Sequence, residues 1–141
     1  MFKIIYNNIV LLIIFVVVML VVSCDTVSRT EVTRIKSPDS IADAVLIKVN
    51  AGATASYAYE VYIIPTGGQP TQGNEIFKAD KINGLEIQWI QSKYLEIKYD
   101  DGRIFHFSNF WHSKDVDNFR YIVDIELSKK IKERQNVSDK R

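Results

Sequence analysis

Between residues 44 and 127 the chain contains a series of short stretches in which apolar and polar residues alternate. Alternation with a period of two places every second side chain on the same face of a β-strand. Residues 85–90 and 119–127 show the pattern most clearly, and no amphipathic helical pattern lies between the stretches. The sequence therefore predicts an all-β fold, a small antiparallel meander or sandwich of six to seven strands after an N-terminal apolar signal helix.

Two turns are predicted from residue type. Ser37-Pro38-Asp39 predicts a turn before the first clear strand, because proline fixes its own φ angle and the Asp side chain bonds the following backbone. Asp100-Asp101-Gly102 is the strongest hairpin pattern in the chain, since Asp-Gly adopts the dihedral angles that twisted strands require. We expect that second turn to join strands at residues 94–99 and 103–107.

An unbroken apolar run covers residues 9–22 and follows a short polar lead that carries Lys3. A positive charge, an apolar run and small residues at a cut site are the layout of a secretory signal. The run is about 14 residues, shorter than the roughly 20 that a helix needs to cross the hydrocarbon core. The sequence therefore predicts a cleaved export signal, with an uncleaved signal anchor as the alternative.

The residues at the predicted cut site are Val21-Val22-Ser23-Cys24. They resemble the lipobox of bacterial lipoproteins. The resemblance implies cleavage between Ser23 and Cys24, a diacylglycerol group on the Cys24 thiol, and acylation of the new amino group by a fatty acid such as palmitate. Two or more acyl chains hold a soluble domain to a bilayer where one chain does not. Cys24 is also the only cysteine, so no intrachain disulfide forms.

The same resemblance implies a location in the bacterial cell envelope, with the domain facing outside the cytoplasm. Asp25 is a signal for retention in the inner membrane of some enteric bacteria, and the choice between inner and outer membrane stays open. The chain then divides into a signal peptide (residues 1–23), a lipid-anchored tether (24–36), a β domain (37–127) and a polar basic tail (128–141). A short first strand at the end of the tether is the alternative for that segment.

Size and charge limit the classes of partner. The chain holds 18 Lys and Arg against 17 Asp and Glu, and because Lys3 lies in the signal the mature chain is formally neutral. A neutral chain lacks the basic face that nucleic acid requires, so no nucleic-acid partner is expected. About 118 residues remain after cleavage, enough for one domain with a core and not for two.

A second resemblance covers residues 37–107. The Ser-Pro-Asp turn, the stretch Gly52-Ala53-Thr54 and a later strand with Trp89 are similar to a pattern in small bacterial lipoproteins of unassigned function. That group carries no activity to transfer to this chain.

One group of residues, His106, His112 and Asp115, is a candidate for acid–base or metal chemistry. Its spacing matches no compact zinc pattern. The sequence also lacks a Gly-x-Ser-x-Gly elbow and a Ser-x-x-Lys pair. We expect no catalytic residues, no metal and no cofactor; a lipid-anchored hydrolase or metal-dependent enzyme that uses these three residues is the alternative.

Phe110, Trp111 and His112 are the candidate partner-binding residues. They lie in a stretch without strand alternation, and exposed aromatic rings are common anchors of protein interfaces. The alternative is that the rings fold back over the end of the β core. We expect a non-catalytic envelope lipoprotein that binds a protein partner or supports an envelope assembly, including an inhibitor or immunity type, and a solute-binding lipoprotein is a further alternative.

Overall fold

A computed structural model describes residues 27–52 and 55–130, and it is almost entirely β. The elements are β1 (Ser28–Lys36), β2 (Ala42–Asn50), β3 (Ala58–Pro65), β4 (Phe77–Asn83), β5 (Glu86–Gln91), β6 (Tyr94–Tyr99), β7 (Asp101–Phe107), β8 (Phe110–Trp111), a 3₁₀-type turn (Asp117–Phe119) and β9 (Val123–Lys129). The predicted signal peptide, its cut site at Ser23 and Cys24, and most of the predicted tail lie outside the described residues. In the described part, no helix has the length and apolar character that would let it cross a membrane.

The nine strands form two sheets, so the prediction of an all-β fold is confirmed. The first sheet has the order β1-β2-β3-β4-β7, and every neighbouring pair in it is antiparallel. The second has the order β5-β6-β9-β8. Its central pair, β6 and β9, runs parallel, which the prediction of purely antiparallel pairing did not include.

Two strands differ from the prediction. β1 occupies most of the segment assigned to the tether and pairs with β2 from Ser28 to Lys36, whereas only the end of that segment was considered as a short first strand. β1 is polar because it is an edge strand with most of its side chains exposed. β8 has only two residues, too few to show alternation. β9 also continues through Ser128 and Lys129, which the prediction assigned to the tail.

The sandwich core lies between the two sheets. Small and branched side chains of the first sheet, such as Ala44 and Val61, pack against Leu95 and Ile97 of β6 and against Val123 of β9, and all five are fully buried. These residues alternate along their strands with side chains that point away from the core, as a two-layer β fold requires.

Residues 77–107 form one long antiparallel hairpin that bends from the first sheet into the second. The pairing starts at Phe77 with Phe107 and, apart from local bulges, continues to Gln91 with Tyr94. The turn of this hairpin is therefore at Ser92 and Lys93. The predicted hairpin at Asp100-Asp101-Gly102 was wrong, because β6 and β7 belong to different sheets and do not pair with each other.

The bend in the hairpin lies where Gly84 faces Asp100. Gly84 has a φ of +63°, and the Asp100 backbone N–H donates to the Asn83 carbonyl at 2.9 Å. A Cβ on Gly84 would lie 2.6 Å from the Asp100 Cγ atom. Only glycine fits here without a clash. Gly84 therefore allows the long hairpin to bend from the first sheet into the second.

The outer face of the first sheet carries a buried polar cluster beside a small apolar one. The Glu60 carboxylate, almost fully buried, accepts from the Tyr62 hydroxyl at 2.7 Å and pairs with Lys78 at 3.0 Å and with Arg29. Burial alone would raise the pKa of Glu60, but the hydrogen bonds from Tyr62, Lys78 and Arg29 outweigh it and hold the pKa below its usual value. This cluster fixes β1, β3 and β4 relative to one another.

Candidate binding site

A cavity of about 580 Å³ opens at one end of the sandwich, where β3 ends, β4 begins and β7 continues into β8. Its volume is in the range of about 300–1,000 Å³ that is common for ligand sites. The residues that line it and matter for the argument are Glu75, His106, Phe110, Trp111, His112, Lys114, Asp115 and Phe119.

Three rings form an exposed aromatic strip at this cavity: Phe110, His112 and Phe119. The Phe110 and His112 rings are stacked with centroids 5.6 Å apart, and the Phe119 ring meets His112 edge-on at 5.2 Å. Phe110 and Phe119 are each 48% exposed. Large apolar rings that stay half in water are positioned for contact with another molecule rather than for the core.

The short strand β8 places the side chains of Phe110 and Trp111 on opposite faces. Phe110 pairs with Asp124 and Trp111 with Val123 of β9, and the Ser108 hydroxyl donates to the Phe110 carbonyl at 2.7 Å. Successive strand residues point to opposite sides, so Trp111 packs against the core while Phe110 points outward.

A left-handed turn holds Phe119 against His112. Asp117, Asn118 and Phe119 all have positive φ, of 47°, 46° and 68°. The Phe119 backbone N–H donates to the Ser113 carbonyl at 3.0 Å, which closes the loop. Asp and Asn tolerate this conformation, but a bulky residue such as Phe rarely adopts it, so the surrounding contacts fix a strained residue in the site.

Glu75 has an unusual environment in the cavity wall. Its Oε2 atom is buried and has no hydrogen-bond partner, the sole such side-chain atom among residues 27–52 and 55–130. Its other oxygen lies 4.0 Å from the Lys78 ammonium, which is closer to Glu60 at 3.0 Å. Burial of a carboxylate oxygen without a donor costs free energy, so this enclosed atom is a locally destabilising feature behind the cavity wall.

The structure places all of the predicted candidates of the described chain at this one cavity. Phe110 and His112 are exposed in the aromatic strip. The Trp111 ring instead packs against the core, which was the alternative given for these rings. His106, His112 and Asp115 all line the cavity. However, in the described ranges no group of three or more His, Cys, Asp or Glu side chains is arranged to hold a metal ion. The lipidation residue Cys24 is not among the described residues.

Two residues of the site were not predicted. Phe119 was assigned to the inner face of a strand, because it continues the alternation of Tyr121 and Val123. The preceding Asp117-Asn118 pair, which tolerates positive φ, is the signal that would have indicated a turn instead. Glu75 was not among the candidate residues, and no sequence pattern indicates that one of its oxygens lacks a partner.

Comparison with protein-family models, with curated proteins and with solved structures finds no match for this chain.

Proposed function

We propose that this chain is a lipid-anchored bacterial envelope protein without catalytic activity, and that it binds a protein partner through the aromatic strip. One observation carries the proposal: Phe110, His112 and Phe119 stack in series at the mouth of a cavity while both Phe rings remain 48% exposed. Exposed aromatic clusters beside a pocket are the usual anchors of protein interfaces, where a few such residues provide most of the binding energy.

The short link to the lipid limits where the partner sits. β1 begins at Ser28, so a lipid on Cys24 leaves four residue steps before the folded domain. Four extended steps reach at most about 14 Å. The domain is then held near the bilayer surface, which favours a partner that is itself in the membrane or next to it. The proposal applies equally to the inner and the outer membrane.

Partner binding is tested by crosslinking in intact cells and purification of the lipidated protein. Phe110→Ala and Phe119→Ala are compared with wild type, and Phe105→Ala is the matched control because Phe105 is a third exposed Phe, 55% exposed, outside the cavity lining. We expect a protein crosslinked to wild type and to Phe105→Ala, and its loss in both strip variants at equal abundance. Equal recovery from all four proteins would contradict the proposal.

The lipid anchor is tested separately with Cys24→Ala. We expect this variant to leave the membrane fraction or to keep the mass of the uncleaved precursor, because diacylglycerol addition to the thiol precedes cleavage in the lipoproteins that it resembles. Cys24→Ser is the closest isosteric comparison and should behave in the same way. Unchanged fractionation and unchanged mass would show that the chain is held by an uncleaved anchor.

A further inference from the structure

The two ends of the sandwich differ in their distance from the predicted lipid. Ser28 at the start of β1 pairs with Asn50 at the end of β2, so the chain from Cys24 enters the domain at this end, the entry end. The cavity and the aromatic strip lie at the other end, where Ala42 pairs with Pro65 of the cavity lining. β2 joins the two ends with nine residues, a span of about 26 Å at roughly 3.3 Å per residue. A lipid on Cys24 therefore holds the entry end, and not the strip, next to the bilayer.

The entry end presents an uncharged loop with one exposed aromatic ring. Residues 49–59 contain no charged side chain. The exposed residues in the described part of this loop are Ala51, Ala55, Ser56 and Tyr57. The Tyr57 residue is 50% exposed, and tyrosine is enriched at membrane interfaces, where its ring meets apolar surroundings and its hydroxyl meets water. Because Ala58 pairs with Val49, Tyr57 lies two strand spacings, about 10 Å, from Ser28.

Two lysines border this loop, and neither forms an ion pair among residues 27–52 and 55–130. The Lys48 Nζ atom lies 3.8 Å from the centre of the Tyr57 ring. Lys81 is exposed and lines a cleft together with Tyr57. A lysine ammonium has three donors, so both groups are available to an anionic acceptor outside the protein.

The acidic side chains at the entry end do not cancel these two charges. Three of them have a cation of their own: Asp80 with Arg103, Glu86 with Lys130, and Asp101 with Lys129. Asp100 is half-buried against Gly84. The chain continues from the same end into residues 131–141, which contain four Lys or Arg against two Asp or Glu. An excess of positive charge therefore lies at the end that the lipid brings to the bilayer, where anionic phospholipids attract cations.

We propose that the entry end lies on the bilayer surface, with Tyr57 among the headgroups and with the Lys48 and Lys81 ammonium groups donating to the phosphates of anionic phospholipids. This inference rests on the proposed lipid anchor and adds a second contact, which fixes the orientation of the domain. The aromatic strip then faces away from the bilayer. The partner contacts it about 26 Å from the loop, the length of β2.

The test uses the full-length lipidated protein in vesicles, with one added cysteine that carries a nitrobenzoxadiazole fluorophore. The lipid blocks the thiol of Cys24, the only native cysteine, so the added cysteine alone reacts. Ala55→Cys places the label in the loop and Gln69→Cys places it at the cavity; both positions are exposed. Vesicles of phosphatidylcholine are compared with vesicles of equal parts phosphatidylcholine and phosphatidylglycerol. The anchor holds the protein on both, so a difference reports orientation rather than recruitment.

We expect the emission of the label at residue 55 to move to shorter wavelength on vesicles with phosphatidylglycerol, and that of the label at residue 69 to stay unchanged. In the Ala55→Cys protein, Lys48→Gln with Lys81→Gln should lower the ratio of docked to undocked molecules about 30-fold, from about 1 kcal/mol per cation near the surface. Lys93→Gln with Lys114→Gln is the matched control, because it removes the same charge from two exposed lysines at the other end. It should leave the shift in place.

Equal emission from the label at residue 55 on the two kinds of vesicle, with all lysines intact, would overturn the inference whether or not the lysine variants fold. A full shift in Lys48→Gln with Lys81→Gln would overturn it as well, because the lysines would then not bind the phosphates. The mass of the purified protein distinguishes this failure from that of the proposed function. An unmodified Cys24 refutes the anchor and the inference together, whereas a lipidated protein with an unresponsive label refutes the orientation alone.

Discussion

The Tyr121 hydroxyl lies 2.8 Å from Asp39 Oδ2, and this contact joins residues 82 positions apart in the sequence. The same hydroxyl lies 2.7 Å from the Ser92 carbonyl, at the turn of the long hairpin. The turn before β2, the β5–β6 turn and the segment before β9 therefore meet at one side chain. Burial and the Asp39 carboxylate raise the pKa of Tyr121 to about 12, which keeps the hydroxyl protonated as a donor.

Tyr121→Phe should destabilise the protein by about 1 kcal/mol, because the single O–H that Asp39 and the Ser92 carbonyl share is lost from a buried side chain. The ring itself stays, so its packing against the core is retained. The measurement is the free energy of unfolding from urea denaturation at pH 7. Tyr57→Phe is the matched control, because it also removes one hydroxyl but at a side chain that is 50% exposed. It should change the free energy of unfolding by less than about 0.5 kcal/mol. Equal effects of the two substitutions would show that the Asp39 contact contributes nothing.

The buried carboxylate of Glu60 predicts a pH dependence. Its pKa in the folded state lies below the ordinary value of 4.5, so its stabilising effect is complete above pH 4.5 and is lost as the pH falls through the folded-state pKa. Glu60→Gln should cost about 2 kcal/mol at pH 7, because the hydrogen bonds from Tyr62, Arg29 and Lys78 lose their charged acceptor while the two cations remain partly hydrated. The difference between wild type and variant should shrink below pH 4.5.

The measurement is urea denaturation of both proteins at several pH values between 7 and about 3, where carboxylates titrate. Glu86→Gln is the control, because Glu86 is 65% exposed and its ion pair with Lys130 lies on the surface. It should change stability by less than about 1 kcal/mol at every pH. A constant difference between wild type and Glu60→Gln across the range would contradict the prediction.

The strand pattern was predictable because period-two alternation follows directly from strand geometry, and every alternating stretch overlaps a strand, although residues 119–122 of the last stretch precede β9. The full length of β1 was not predicted, for a physical reason. As an edge strand it buries few side chains, so its sequence has no apolar face to detect. Its pairing with β2 depends on backbone hydrogen bonds, which leave no pattern in the sequence.

The error at Asp100-Asp101-Gly102 shows what local turn chemistry cannot decide. Gly102 is required because a Cβ there would lie 2.8 Å from the Ile82 Cα atom on the paired strand β4. A glycine at this position is equally common in a hairpin turn. Residue type alone therefore does not distinguish a hairpin turn within one sheet from a connection that leads from one sheet to the other. Likewise, alternation gave Phe119 an inner face, and only the tertiary contact with His112 places it outside.

The bend at Gly84 gives a sharper prediction. Gly84→Ala should destabilise by about 3 kcal/mol, from the positive φ angle together with the clash against Asp100. Gly73→Ala is the matched control, because Gly73 also has a positive φ, of 90°, but a Cβ there meets no atom within 4 Å. It should cost only about 1 kcal/mol.

The double variant Gly84→Ala with Asp100→Ala separates the two causes. Removal of the Asp100 side chain should recover the part of the loss that comes from the clash and leave the part that comes from the φ angle. Thermal and urea unfolding of the single and double variants measure both parts. If Gly84→Ala and Gly73→Ala lower the free energy of unfolding by the same amount, the close approach of Gly84 to Asp100 does not constrain the bend of the long hairpin.

Phe119 links strain to the proposed binding. At most positions glycine is less stable than alanine by roughly 0.5–1 kcal/mol, because it loses more backbone entropy on folding. At Phe119, with a φ of 68°, the order should reverse: Phe119→Gly should be more stable than Phe119→Ala by about 1 kcal/mol, since glycine adopts this conformation without a Cβ clash. Both variants lose the ring that contacts His112, so both should lose the crosslinked partner equally.

Phe105 provides the comparison, because it is an exposed Phe in β7, at the bulge between His106 and Ile104, and is not among the residues with positive φ. There Phe105→Ala should be more stable than Phe105→Gly. Urea unfolding of the four variants measures the difference in stability between glycine and alanine at each of the two positions. Opposite signs of these two differences would identify backbone strain at the aromatic strip. If alanine is the more stable residue at both positions, the turn at residues 117–119 relaxes when the ring is removed. The positive φ angle of Phe119 would then be a consequence of the packing of its own ring. It would not be a strained backbone conformation that the rest of the protein imposes.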